Sequence, residues 1–298
     1  MNKWWWLLLI VLCWAGAGFA IFGVSADQNR ADTLLPRKTD RIVSMAPNLT
    51  EILFALGLDE KVVAVSNNSD YPPQAAHRNK AGTFWQPNIE AVIAAKPDLV
   101  ITLGFSQQKN LAQRLKRIGY NSLTLNIEKV SELFEAIKKI GEATGRQWQA
   151  SILVADIRKK LDSLSSLVGT DDRVRVLYVV QREPLRVAGR DTFINEMIEL
   201  AGGENAIGTT VHKYPPIGTE QVIACSPEVI IEPVMGQNHP TGQKDRAIQY
   251  WSRFKNVPAA RDGRVYVIDG DTVSRLGPRL YEGTEKIARC LRPELFTN

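Results

Sequence analysis

The chain has 298 residues, 44% of them hydrophobic and 23% charged, which is enough apolar content for one large core or two ordinary ones. Its formal net charge of +5 at pH 7 is spread along the sequence without a long basic run, so the charge footprint of a nucleic-acid-binding protein is absent. The three histidines, His77, His212 and His239, are scattered and make no metal-ligand spacing.

At the amino terminus Lys3 precedes an almost uninterrupted apolar run, Trp4 to Ala26. It closes on Val24-Ser25-Ala26, with small residues at the two positions a signal peptidase reads. Residues 1–26 are expected to be an export signal cut before Asp27, although the run also has the length of a retained membrane anchor of about 20 residues. Cys13 is an apolar filler in this run, since Leu12 before it is too large for a lipid-attachment signature. Cys225 and Cys290 then remain, and in an oxidising compartment they are either a disulfide or two isolated buried thiols.

Strands and helices alternate from Arg41 onward. Arg41 to Met45 opens a strand, and Asn48 with Glu51 three places later has the capping-box pattern of a helix start. Val62 to Val65 is a second strand, followed by a polar loop from Ser66 to Tyr71. Two aromatics, Phe84 and Trp85, lie in a loop bounded by Gly82 and Pro87. A helix over 88–95, a strand over Asp98 to Thr102, the loop to Phe105, a helix over 107–118, a strand over Ser122 to Leu125 and a helix over 130–143 complete residues 41–144. This order predicts right-handed βαβ units and a mostly parallel sheet.

Residues 145–168 form the bridge. Ala150, Val154, Ile157, Leu161, Leu164 and Val168 recur at steps of four and three, which predicts one helix with a single buried stripe, roughly 33 Å long at about 1.5 Å per residue. Thr144-Gly145 stops the preceding helix, and Gly169 to Asp172 ends this one. Residues 172–298 repeat the α/β plan. Strands are expected at Val174 to Val180, Arg186 to Ala188, Val229 to Glu232 and Val265 to Ile268, and helices at Thr192 to Ala201, 219–225, Asp245 to Phe254 and Arg279 to Leu291. Loops run over 233–242 and Gly270 to Pro278. The fold class is therefore α/β, two Rossmann-like lobes with mostly parallel sheets and separate cores, joined by one long bridging helix.

The lobes also match each other. Residues 88–101 and 218–231 share six identities in fourteen positions, Glu90/Glu220, Val92/Val222, Ile93/Ile223, Ala94/Ala224, Pro97/Pro227 and Ile101/Ile231. Thr50 to Gly57 echoes Asn195 to Gly202 in the same order, which points to internal duplication. Ligands of open parallel sheets sit on the loops beyond the carboxyl ends of the strands. Tyr71, Trp85, Phe105, Tyr214 and residues 270–278 are thus expected to line one aromatic cleft between the lobes.

Several segments carry a family resemblance: Ser69-Asp70-Tyr71-Pro72-Pro73, Trp85-Gln86 with Asn88-Ile89-Glu90, Lys96-Pro97-Asp98-Leu99-Val100-Ile101, Gly202-Gly203-Glu204-Asn205 and Glu220-Gln221-Val222. In these the chain resembles the helical-backbone substrate-binding proteins of ABC importers for vitamin B12, iron siderophores and haem, and most of all the vitamin B12 binders. The resemblance implies a non-catalytic periplasmic protein, expected to be a monomer without a resident cofactor, that captures a cobalamin-like ligand; a ferric siderophore or haem is the alternative. It implies that Tyr71 and Trp85 touch the corrin, that Tyr214 stands at a family tryptophan, and that Asp271 and Arg275 reach the ligand. It further implies that Glu90 and Glu220 dock on a permease dimer, one per subunit, and that the membrane is met only through that transporter or an uncleaved N-terminus. The chain departs from the pattern at Arg186, which replaces a family phenylalanine, at Phe105, which replaces a tryptophan, and at Ala201, which removes one partner of a family disulfide. Arg182, Arg186, Arg190, Arg275 and Arg279 would suit an anionic ligand, and His239 could reach a metal in the ligand. A glycosidase-like role for Glu90 and Glu220 would need their carboxyls within roughly 5–10 Å, which duplication on separate lobes opposes.

Overall fold

A computed structural model of the chain describes residues 39–169, 171–234 and 240–296. The apolar run over 1–26 and His239 lie outside the described residues.

The first lobe is built on five parallel strands, β1 (Ile42–Ser44), β2 (Val62–Val65), β3 (Asn79–Lys80), β4 (Leu99–Leu103) and β5 (Ser122–Leu125), in the order β3-β2-β1-β4-β5. Helices α1 (Pro47–Ala55), α2 (Pro73–Ala76), α3 (Ile89–Ala94), α4 (Ser106–Arg117) and α5 (Val130–Thr144) connect and follow them. After α6 (Gln147–Val168) the second lobe has β6 (Val174–Arg182), β7 (Leu185–Val187), β8 (Gly203–Asn205), β9 (Val229–Val234) and β10 (Val265–Asp269). Its helices are α7 (Phe193–Leu200), α8 (Thr219–Cys225), α9 (Pro240–Trp251), α10 (Pro258–Arg261), α11 (Gly270–Val273) and α12 (Leu280–Leu291). The path runs β10-β9-β6, and the long β6 pairs β8 in parallel near its start and β7 antiparallel near its end.

Every apolar position forecast for the bridge is buried: Ala150, Val154, Ile157, Leu161, Leu164 and Val168. Gly145, at φ 69°, adopts the left-handed conformation that ends α5. The chain then doubles back so tightly that a Cβ on Gly141 would stand 2.6 Å from the Cβ of Ala150. Only glycine lets α5 and α6 cross there.

The expectation of two separate cores is corrected. Strand pleating sends Ile42, Leu99, Ile101, Val176, Tyr178, Val229 and Ile231 to the inner faces, where they join the α6 stripe in one continuous apolar cluster that runs through both lobes. Alternate residues face outward into two satellite cores, Val43, Met45 and Val100 in the first lobe and Leu177, Val179 and Ile230 in the second. The bridging helix merges the lobes because its stripe is wide enough to serve both sheets.

Duplication extends to single hydrogen bonds. Arg41 at the head of β1 donates to the carbonyl of Ala95 at 2.8 Å, and Arg175 at the head of β6 donates to the carbonyl of Cys225, the matched position, at 2.7 Å. Asp98 accepts the backbone N–H of Arg41 as Glu228 accepts that of Arg175. Lys96 and Ser226, again matched, both have positive φ, 46° and 43°.

Ile157→Ala is expected to destabilise the protein by about 2–5 kcal/mol in chemical denaturation, because it opens a cavity under both sheets. Ile152→Ala, half exposed on the opposite face, should change stability by no more than about 0.5 kcal/mol.

Candidate ligand-binding site

The loops beyond β2, β3 and β4 carry the aromatic residues, and each is held by a specific polar network. Ser44, Thr50, Ser66 and Ser69 are fully buried hydroxyls bonded in a chain of 2.8–3.1 Å contacts, which fixes the loop leading to Asp70 and Tyr71. The backbone N–H of Gln86 donates to Thr83 Oγ1 at 2.8 Å, closing the turn that presents Trp85. Gly82 at φ 96° starts this turn, and a Cβ there would meet backbone atoms at 2.5 Å. The buried amide of Gln108 accepts the N–H of Leu103 and donates to the carbonyls of Met45 and Phe84, so one side chain ties three loops.

Three rings then meet edge to face. Phe84 lies 4.8 Å from Trp85 and 5.1 Å from Phe105 between centroids, and Trp85 and Phe105 are 6.0 Å apart. Phe84 is the inner member and leans on the central core. Trp85 remains 61% exposed and Phe105 37%. Such exposure of large rings has a solvation cost that a flat ligand would remove. Tyr214 packs instead against the same central core in the second lobe, where burial pushes its phenol above the ordinary range.

Tyr71, Asp271 and Arg275 come together where the lobes touch. Arg279, at the head of α12, makes a two-pronged bond to Glu51 of α1 at 2.9 and 2.6 Å and stacks on the Tyr71 ring at 3.8 Å. Arg275 reaches Asp70 at 2.9 Å and Asp271 at 3.3 Å. Asn48 donates to the carbonyl of Leu276 at 3.0 Å. The capping-box expectation for Asn48 and Glu51 is therefore wrong: α1 starts at Pro47 with no side-chain cap, and both residues reach across to the second lobe. Burial raises the Glu51 carboxyl above its usual range, with Arg279 and Arg275 pulling against that rise.

A second set of contacts joins the lobes through the loop after β5. Lys213 pairs with Glu128 at 2.5 Å, Lys129 with Asp191 at 3.0 Å, and Glu196 accepts the N–H of Val130 at 2.6 Å. Glu51, Glu196 and Gln108 had no binding-site signal in the sequence, whereas Phe84 stood out as a loop aromatic and Arg279 as one of the arginines suited to an anion. Only the matched positions of Glu51 and Glu196 in the two halves hinted at those two glutamates.

The arginines foreseen for an anionic ligand are mostly neutralised within the protein. Arg182 pairs with the buried Glu232, which also accepts the Trp251 indole N–H, and Arg190 pairs with Glu204. Arg275 and Arg279 are engaged as above. Arg186 donates to the carbonyl of Tyr214 at 3.3 Å and has no carboxylate partner among the described residues. Glu90 and Glu220 are exposed in the first turns of α3 and α8, on separate lobes. No three His, Cys, Asp or Glu side chains group as a metal site among the described residues. No helix there is long and apolar enough to cross a membrane.

Comparison with known proteins agrees with this architecture. Residues 42–272 match the periplasmic binding protein family. An uncharacterized ABC transporter substrate-binding lipoprotein of Bacillus subtilis is 31% identical over 284 residues, 93% of this chain and 88% of the relative. A vitamin B12-binding protein of Vibrio parahaemolyticus is 30% identical over 251 residues, 83% and 87% of the two chains. The crystal structure of a periplasmic haem-binding protein from Pseudomonas aeruginosa superposes with a TM-score of 0.75 at 25% identity, covering 86% of this chain and 93% of that one. The chain belongs to the periplasmic binding protein family, in the helical-backbone class of ABC importer substrate-binding proteins. Members of that class bind small molecules for transport and are not enzymes.

Cys225 and Cys290 are free and buried, so the disulfide alternative is not realised. Burial raises both thiols, that of Cys290 to about 12. In the folded protein at pH 8 neither is expected to react with a disulfide reagent. Denatured protein from its own host should titrate two thiols; a third would be Cys13 and would show that residues 1–26 are retained.

Proposed function

We propose that this protein captures a cobalamin-like tetrapyrrole on the exposed Trp85–Phe105 wall, with Tyr71, Tyr214, Asp271 and Arg275 bordering the ligand, and delivers it to an ABC importer. The observation that carries the reading is the Trp85–Phe105 pair, braced from beneath by Phe84 and Gln108 and left open to solvent on the loops after β3 and β4. Burying the Trp85 indole against a flat ring gains apolar area at roughly 25 cal/mol per Å² without first moving the protein. The relatedness to a vitamin B12-binding protein supports the same choice. Export to the periplasm follows the N-terminal signal pattern and the family.

Haem is the second reading, favoured by the guanidinium of Arg186, which has no carboxylate partner among the described residues, and by the likeness to a haem-binding protein. Against it, four of the five arginines available to an anion already hold protein carboxylates. Delivery is assigned to Glu90 and Glu220. One carboxylate per lobe at duplicated positions suits a two-fold symmetric permease dimer, where complementary charge fixes register and speeds docking. The first-turn location of both acids is also favoured by the helix dipole, and the two roles are compatible.

Equilibrium dialysis against cyanocobalamin and hemin tests the ligand. Saturable one-to-one cyanocobalamin binding is expected, weakened roughly 10- to 100-fold by Trp85→Ala, at about 1.4 kcal/mol per tenfold. Hemin uptake without cobalamin uptake would transfer the assignment to haem. Glu90→Ala with Glu220→Ala should leave ligand affinity unchanged and slow association with the permease, most visibly at low salt.

A further inference from the structure

The contacts between the lobes repeat as faithfully as the lobes themselves. α1, which follows the central strand β1, and α7, which follows the β6–β7 hairpin, are matched helices by sequence, and Glu51 and Glu196 are matched positions within them. α5 and α12 correspond as well, since each follows the last strand of its lobe. Glu51 binds Arg279, the residue that precedes α12, and Glu196 binds the N–H of Val130, the first residue of α5. Each lobe thus sets a carboxylate on the start of the other lobe's closing helix, where the unpaired N–H groups and the positive dipole end favour negative charge.

Both contacts adjoin a ligand-side aromatic. On the Glu51 side, Arg279 stacks on Tyr71 and Arg275 ties Asp70, the residue before it. On the Glu196 side, Lys129 pairs with Asp191, and Lys213, next to Tyr214, pairs with Glu128. The shared apolar core along α6 is non-directional and tolerates small rotations about the helix axis better than separation, and the ionic contacts flanking it are placed to resist that rotation.

We propose that Glu51 and Glu196 are positioning residues, a reciprocal pair of clamps that suppress rotation of the lobes about α6 and hold Tyr71 and Tyr214 at fixed spacing. The consequence for capture rests on the ligand-binding reading above; the clamping itself does not. Preorganised walls bind without first losing rotational freedom, so releasing a clamp weakens capture even though neither glutamate touches the ligand.

The experiment uses full-length protein carrying Cys13→Ser, spin-labelled at Lys109→Cys on α4 and Gln249→Cys on α9, one exposed site per lobe; Cys225 and Cys290 are buried. The ligand-free parent is expected to give one narrow inter-label distance. Glu51→Gln and Glu196→Ala should each broaden it, and together broaden it further. Glu51→Arg combined with Arg279→Glu should narrow the distribution again. Cyanocobalamin affinity should fall about tenfold in each single variant. Unchanged distance distributions in both variants would overturn the clamps, whatever ligand the protein binds. Broadened distributions with unaltered cyanocobalamin affinity would overturn the positioning role. If Glu51→Gln fails to fold, Glu196→Ala at the less buried clamp decides the question by the same readout. Failure of the parent to bind any tetrapyrrole would sink the ligand reading alone, since the distance measurement is made without ligand.

Discussion

A carboxylate taken out of water must keep its partner, and the Glu51 side chain is only 3% exposed. Its two-pronged bond to Arg279 crosses between lobes, so the relative placement of the lobes is tied to the solvation of one charge. Losing either partner of such a pair typically costs about 3–5 kcal/mol, because the remaining ion is left buried and uncompensated. Rigid-body separation of the lobes would meet that cost at once, and would also strip water-excluded apolar area from the shared α6 stripe. The pair contributes less to net stability than to the definition of a single geometry. Tyr71, Asp70 and Arg275 are arranged around it as dependents.

Duplication left the frames alike and the loops different. Arg41 and Arg175 serve the same carbonyl position, Asp98 and Glu228 the same backbone amide, and Lys96 and Ser226 the same unusual backbone conformation. These roles are fixed by backbone groups that both lobes must satisfy internally, so they survive divergence. The loops face solvent and whatever binds there, and no such requirement holds them. The first lobe offers three exposed rings, Tyr71, Trp85 and Phe105, on its braced loops, whereas the second offers a half-buried Tyr214 and the cation of Arg186. A ligand placed between them, as proposed, would meet an apolar wall on one side and a more polar one on the other.

The frame was largely legible from the sequence because it rests on periodicity. All six stripe positions of α6 are buried, and Val62 to Val65, Ser122 to Leu125 and 219–225 match the observed elements at both ends. What escaped notice was short or polar. β3 is two exposed residues, β8 is three residues beginning at a glycine, and α2, α10 and α11 are four-residue turns. α9 starts at Pro240, earlier than expected, because proline suits a first helical position as well as a loop. Among site residues, Trp85 and Phe105 were visible as aromatics in loops, and the structure brings them into contact. Glu51 and Asn48 were misread because a capping box and a cross-lobe contact place the same residue types at the same spacing. Nothing local distinguishes them; the deciding partners, Arg279 and Leu276, lie 228 residues away.

A merged core and paired clamps also bear on how such a protein is recognised after it binds. A binding protein that closed widely around its ligand would announce occupancy by a change in shape. Here the bridging helix and the ionic contacts on both flanks oppose such travel, and with the proposed clamps in place the spacing between α3 and α8, and with it that between Glu90 and Glu220, would change little on capture. The proposed docking surface is then the same in loaded and empty protein, and discrimination between them must come from the loops bordering the cleft. Those loops are the ones that the hydroxyl chain of Ser44, Thr50, Ser66 and Ser69, the Gln108 amide and the Arg275–Asp70 pair hold in place. Small displacements of Tyr71 or Trp85 on ligand arrival would be felt there first, against a scaffold too stiff to absorb them.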